Sequence, residues 1–287
     1  MRITKIGEVT KEFIYCPKGE KIAFIFLLFN SLLFGYGHSK KSRIFERLLR
    51  TTCAPTGRYF FGKYALKFLK YQASADFQDL LISFFCGTSG VFIEVGASDG
   101  IRKSNCVFLE KIGWVGIAIE ANPIYFDALQ RNRNCFLVTK ALVNQELANK
   151  ILWIEYPTDL PSSGQVITEI NENNNDDYNT ISKVESISVD DFQEIFIKKF
   201  GISCTYLSID IENLSKDILE SFLCSKVNFD FISIEVNNEP NVRESIHDIC
   251  HRAGYIEIYK NFTRNESIFV NADNAYRYFT DEFISKL

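Results

Sequence analysis

The chain of 287 residues is long enough for one sizeable core with an appended segment, and short for two full domains. Its 46% apolar and 24% charged residues are those of a globular protein. A formal net charge of −4 gives no field that would gather nucleic acid, and the clusters Lys40, Lys41, Arg43 and Lys63, Lys67, Lys70 read as solvated helix faces.

The first feature in chain order is IAFIFLLFNSLLFGYG, residues 22 to 37, flanked by Lys18, Lys21, Lys40 and Lys41. A membrane-spanning helix needs about 20 apolar residues, and this run is shorter and interrupted by Asn30, Ser31 and Gly35. It also starts too far from Met1 and lacks the small-residue end of a signal peptide. A packed or partner-facing helix is the first expectation and attachment to a membrane surface the second. Residues 1–74 are accordingly read as an N-terminal helical extension and 75–287 as the main domain.

From about residue 87 the chain alternates short β-rich runs with helical patterns, the signature of a parallel sheet with crossover helices. GVFIEVG (90–96) predicts the first strand, and NCVFLEKIG (105–113) a helix capped by Ser104 and stopped at Gly113. WVGIAIE (114–120) predicts a second strand closed by Asn122-Pro123, IYFDALQRNR (124–133) a helix, and CFLVTKALV (135–143) a third strand. Between Tyr156 and Thr180 two prolines, SSG and the polar run NENNNDDYN predict a long loop, a common form of lid or specificity element. SISVDDF (186–192) then predicts a strand leading into a helix capped by Asp191. TYLSIDIE (205–212) and FDFISIEVN (229–237) are further strands, separated by the helix KDILESFL (216–223). A helix over 240–254 has proline near its start and glycine at its end. YIEIYKNF and ESIFVNA follow as a pair of antiparallel strands.

In an open parallel sheet, ligands bind beyond the carboxyl ends of the strands. Gly96, Ala97, Asp99 and Gly100 stand there after the first strand, in the pattern Gly-Ala-Ser-Asp-Gly rather than the Gly-x-Gly-x-x-Gly of a dinucleotide site. Glu94 and Asp99 would repel phosphate and attract an ammonium group. Glu120 ends the second strand, where a carboxylate accepts hydrogen bonds from both hydroxyls of a ribose. A ligand with a ribose and a cationic amino-acid end but no phosphate is S-adenosylmethionine. The competing reading of each feature alone is a plain strand-to-helix turn with surface acids.

The stretch FIEVGASDGIRKSNCVFLEKIGWVGIAIEANP resembles the FkbM family of methyltransferases, through Glu94 to Gly100, Ser104-Asn105-Cys106, Glu110 to Gly116 and Ile119 to Pro123. ISVDDF, YLSIDIENLSKDIL and ISIEVN are similar to later family segments, so the likeness covers roughly residues 75 to 272. The resemblance implies a class I methyltransferase fold: an α/β, Rossmann-like, three-layer sandwich around a mostly parallel seven-stranded sheet whose last strand is antiparallel. It also implies transfer of the methyl group of S-adenosylmethionine to a hydroxyl, usually on a sugar, glycan or natural product. Glu94, Gly96, Ala97, Asp99, Gly100, Ser104, Asn105, Glu120 and Asn122 become the candidate cofactor-binding residues. The chain departs from the family's Asp-x-Glu-Gly-x-Glu after the fourth strand, with Asn213 for the glycine and Ser215 for the second glutamate, and has Cys106 for a threonine.

A hydroxyl acceptor gains from a base that takes its proton. Asp210 is the first candidate, Glu235 the runner-up, and Glu212 stands beside them; capping and acceptor hydrogen bonding are the alternative roles. A divalent ion on these three carboxylates stays open, and no metal site is assigned. His247 and His251, at i and i+4, read as ordinary helix histidines, and Trp114 and Trp153 as core. Eight scattered cysteines without a Cys-x-x-Cys pair fit a reduced, cytoplasmic protein, and the sequons at Asn213, Asn261 and Asn265 fit chance in an asparagine-rich chain. The rival to an enzyme is a catalytically degenerate protein that keeps the fold as an interaction or membrane-associated module.

Overall fold

The computed structural model describes residues 74, 78–169, 179–212, 214–236, 239–258 and 266–279. The apolar run at 22–37, the proposed boundary near residue 74, Asn213 and the other two sequons, Cys16 and Cys53 lie outside the described residues, apart from Ser74 itself. No helix among the described residues is long and apolar enough to cross a membrane.

Helix α1 (Gln78–Cys86) leads into β1 (Val91–Val95), α2 (Val107–Ile112) and β2 (Val115–Ile119). A 3-10 turn at Pro123–Tyr125 runs into α3 (Phe126–Asn132) and then β3 (Phe136–Val138). Strands β4 (Ala141–Val143), β5 (Ile151–Pro157), β6 (Gln165–Ile167) and β7 (Asn179–Ser188) follow. The alternation resumes with α4 (Val189–Phe200), β8 (Ser203–Ile209), α5 (Ser215–Leu223), β9 (Asn228–Glu235) and α6 (Pro240–Arg252). Strands β10 (Tyr255–Ile258) and β11 (Glu266–Asn271) close the domain.

The main sheet has seven strands in the order β10-β11-β9-β8-β1-β2-β3. β1, β2, β3, β8 and β9 pair in parallel, and β11 runs antiparallel to both β9 and β10. Numbered along the chain, the seven stand as 3-2-1-4-5-7-6 with the last one reversed. That is the Rossmann-like order of the class I methyltransferase fold.

Strand alternation sorts the core into two layers. Ile93, Val95, Leu207, Ile209, Ile232 and Ile234 face Phe192 and Phe196 of α4, Leu219 and Phe222 of α5, and Ile246 of α6. On the other face Phe92, Tyr206 and Phe231 meet Leu81, Ile82 and Phe85 of α1 and Phe108 and Leu109 of α2. Trp114 is core, with its indole N–H donating to the Gly87 carbonyl at 3.1 Å. Trp153 is half-buried on the face of β5 opposite Leu152 and Ile154.

Three local expectations are corrected. The predicted strand 135–143 breaks at Thr139-Lys140: its first half joins the main sheet as β3, while its second half, β4, pairs in parallel with β7. The predicted loop 156–180 contributes β6 and the start of β7 to a second sheet, β4-β7-β5-β6, in which β5 and β7 pair from Ile151↔Glu185 to Pro157↔Asn179. Strand β7 stops at Ser188, and the cap of α4 is Ser188, whose hydroxyl accepts from the Asp191 amide at 3.0 Å, not Asp191. A serine cap uses its own side chain to satisfy an orphan amide of the first turn.

Candidate functional site

Chain connections leave β1 in opposite directions, to β2 on one side and, after the second sheet, to β8 on the other. This is the switch point at which open α/β sheets hold ligands. A cleft lies there, walled by Gly96 and Ser98 after β1, Glu120 and Asn122 after β2, and Asp210, Ile211, Glu212 and Leu214 after β8. Tyr125, Lys140 and Leu142 form another side, and Ile154, Pro161, Ser162, Gly164 and Val166 of the second sheet form the roof. The enclosed part measures about 80 Å³, within a mouth whose free space, open solvent included, is about 710 Å³. Small-molecule sites run from about 300 to 1,000 Å³, so the enclosed part alone is smaller than a nucleoside-sized ligand needs.

The turn after β1 is bent by Gly96, at φ +89°, where a Cβ would overlap the Asp210 carbonyl. Only glycine adopts this conformation freely and permits that approach. The amides of Gly96 and Ala97 both donate to the Ile119 carbonyl at 3.0 Å, which ties the turn to the tip of β2. Ser98 follows at φ +48°. Glu120 holds the next layer: Oε2 accepts from the Ser98 amide at 2.6 Å and Oε1 from the Asn122 amide at 2.7 Å. Burial pushes the Glu120 carboxyl up to about 7, against the pull of these donated bonds. Asn122 caps the 3-10 turn through Ile124 and donates from Nδ2 to the Pro161 carbonyl at 3.1 Å, linking this loop to the roof.

Glu94 is placed elsewhere. It shares the face of Phe92, is 2% exposed, and does not belong to the cleft wall. Its Oε1 accepts from the Ser104 hydroxyl at 2.7 Å and the Asn105 amide at 2.8 Å, and its Oε2 from Arg133 Nη1 at 2.6 Å. Arg133 also donates from Nε to Glu110 at 2.7 Å. The expected pairing of Glu94 and Glu120 around one ligand is therefore not the arrangement found: one acid faces the cleft and the other anchors the turn from beneath. Ser104 and Asn105 belong to that anchor, Ser104 also accepting from the Val107 amide at 2.9 Å just ahead of α2, whose N-cap is Cys106 rather than the expected Ser104, and Asn105 donating to Ser208 at 2.9 Å. Asp99 folds its own loop, accepting from the Ile101 and Arg102 amides at 2.9 and 2.7 Å. Gly100 packs against Arg133 and Leu129, and Ala97 is buried.

Asp210 and Glu212 reach the cleft; Glu235, at the end of the neighbouring strand, stands level with Asp210 and is not part of the wall. Burial raises both carboxyls, Glu235 to about 8, where the charge of Asp210 adds to the effect. Ser215 opens α5 and turns its hydroxyl onto the Ile211 carbonyl. Among the described residues no three of His, Cys, Asp and Glu converge as a metal site; His247 and His251 stack at 6.0 Å on α6. The six described cysteines are free thiols.

Sequence reasoning missed Arg133, Tyr125 and the roof. An arginine in the last turn of a helix reads as a surface residue, and no local signal announces its burial. The roof depends on pairing between β5 and β7 across the polar run.

No protein-family model matches the chain, and no curated protein matches it. Solved structures are similar in fold. The precorrin-6y C5,15-methyltransferase of Geobacter metallireducens is 10% identical over 70% of this chain and 91% of its own, with a TM-score of 0.36. The fibrillarin pre-rRNA processing protein of Methanococcus jannaschii is 12% identical over 64% and 67%, at 0.34. A TehB-like SAM-dependent methyltransferase of Corynebacterium glutamicum is 8% identical over 68% and 86%, at 0.33. The strand order and directions given above define the fold independently of these superpositions.

Proposed function

We propose that the cleft binds S-adenosylmethionine and that the protein transfers its methyl group to a hydroxyl of a sugar, glycan or other small acceptor. The observation that carries this reading is Glu120: a carboxylate at the tip of β2, in the wall of the switch-point cleft beside the Gly96 turn. With both oxygens already fixed by amides, it is oriented before any ligand arrives, and its remaining lone pairs suit two vicinal ribose hydroxyls. Asp210 and Glu212 give the wall the negative sign that a sulfonium favours. Glu94 cannot serve that end, since its bonds are spent inside. The FkbM resemblance of residues 92–123 supports the same reading and supplies the preference for a hydroxyl acceptor.

The bound cofactor supplies an electrophilic methyl group. The chain's part is to align the acceptor with it and to take the acceptor's proton, and Asp210, in the wall, is placed for that. Calorimetry with S-adenosylmethionine tests the site: saturable binding is expected in the wild type and a loss of at least tenfold in Glu120→Ala. Unchanged affinity in that variant overturns the assignment. Transfer of labelled methyl to carbohydrate fractions of the source cell, abolished in Asp210→Asn, tests the reaction.

One observation favours a second reading. The hydroxyl of Ser215 is engaged with Ile211, so the residue that replaces the family's glutamate offers no acid to an acceptor. A non-catalytic module of this fold would show no saturable cofactor binding in the same calorimetry.

A further inference from the structure

β8 and β9 pair in parallel up to Ile209↔Ile234, which sets Asp210 and Glu235 at the same level on adjoining strand tips. The two acids therefore stand side by side in a largely buried place. Two adjoining carboxylates removed from water repel each other if both are ionised, which favours one proton between them. Asp210 lines the cleft, whereas Glu235 stands outside the wall. Around them lie the negative charges of Glu94 and Glu212 and the positive charge of exposed Lys103. Glu266 of β11 stands opposite Glu235 in register. Arg133 offsets Glu94, and the remaining acids still outnumber Lys103, which favours keeping the proton.

We infer that Asp210 and Glu235 work as one proton-holding unit, in which Asp210 faces the acceptor and Glu235 is the positioning residue that stores the proton behind it. With the proton held between the two acids, Asp210 is a weak base. Once it leaves, the doubly ionised pair can take the proton of an acceptor hydroxyl as the oxygen–methyl bond forms. The carbon–sulfur bond then breaks with its electron pair remaining on sulfur, and no oxidant or reductant is needed. This last part rests on the methyl-transfer reading above; the shared proton does not.

Carboxyl-carbon NMR of the full chain, labelled at aspartate and glutamate and titrated with pH, reads the pair directly. A step near 8 is expected in the wild type. It should disappear in Glu235→Gln, and in Asp210→Asn the Glu235 midpoint should fall toward the ordinary carboxylate range. Both groups titrating separately below about 5 in the wild type would overturn the inference. The functional readout is the pH profile of methyl transfer to the most active carbohydrate fraction. The wild-type rate should rise through pH 8, and Glu235→Gln should lose that rise with the cofactor KM unchanged; an identical profile in the variant counts against the role. Failure of cofactor binding in calorimetry would remove the methyl-transfer reading and leave the NMR result standing. Failure of the NMR step with intact binding would remove the shared proton alone.

Discussion

Arg133 reaches back across 39 residues to place Nη1 2.6 Å from Glu94, and neither side chain is more than 2% exposed. The pair joins the end of α3 to the C-terminal half of β1, and through Ser104 and Glu110 it also ties in the loop before α2 and α2 itself. A charge in a buried strand is costly unless it is paired and fully bonded. Here Glu94 is paired and both its oxygens are bonded, while Arg133 keeps one buried nitrogen, Nη2, without a partner, and the turn facing the cleft is fixed from beneath.

Removing one partner of this clasp should be severe. Arg133→Met leaves Glu94 and Glu110 buried without their cation and is expected to lower stability by about 3–5 kcal/mol in urea denaturation. Adding Glu94→Gln to that variant should restore part of the loss. Equal stability of the single and double variants would show that the pair is not coupled.

Gly96→Ala should act at two levels. The φ of +89° alone costs an alanine about 1–2 kcal/mol, and its Cβ would in addition overlap the Asp210 carbonyl. The variant should lose cofactor binding as well as stability. Gly254→Ala is the control: its φ is +83° with no atom within 4 Å of the added Cβ, so it should show the conformational loss without the second effect.

Glu120 predicts a pH signature. Burial raises its carboxyl from 4.5 to about 7, so between these values the folded chain holds a proton that the unfolded chain releases. Stability therefore falls as pH rises through that window, by up to about 3 kcal/mol from this group, and is level above it. Glu120→Gln cannot ionise and should flatten that part of the curve, measured by urea midpoints from pH 4 to 8. Glu235, raised to about 8, contributes in the same direction up to its own midpoint, so the residual slope in this variant should belong to the Asp210–Glu235 pair.

Asn122→Ala cuts the bond from the β2 loop to Pro161 in the roof and also the cap on the Ile124 amide. The roof bond alone, at about 1 kcal/mol, corresponds to roughly fivefold. Cofactor affinity is expected to weaken by about that factor, chiefly through faster dissociation in stopped-flow measurements, with the far-ultraviolet dichroism unchanged.

Much of the main sheet is legible in the sequence because its strands are buried on both faces and end at glycines, acids or prolines. VFIEV, VGIAI and NFDFISIE are short apolar runs of that kind, and each stops within one residue or two of its predicted end. The tips of β1, β2 and β8, and so the location of the cleft, follow from the same pattern. What a carboxylate does in its strand does not follow. Glu94 and Glu120 look alike in sequence, and only the fold sends one inward to an arginine 39 residues away and the other to the cleft. The second sheet was hidden for a related reason: β5 and β7 satisfy their backbone groups through each other, across a connection whose composition reads as loop. The split between β3 and β4 leaves no mark either, since both halves are apolar and their partners are distant.

Placing β11 between β9 and β10 has a consequence for how the chain is made. On the ribosome β9 and β10 emerge first, with a vacant slot between them that the later strand must fill. Until residue 271 is free of the exit tunnel, β9 presents a bare hydrogen-bonding edge flanked by Phe231 and Ile234. Nascent chains halted before that point are the ones that should seek a chaperone or one another.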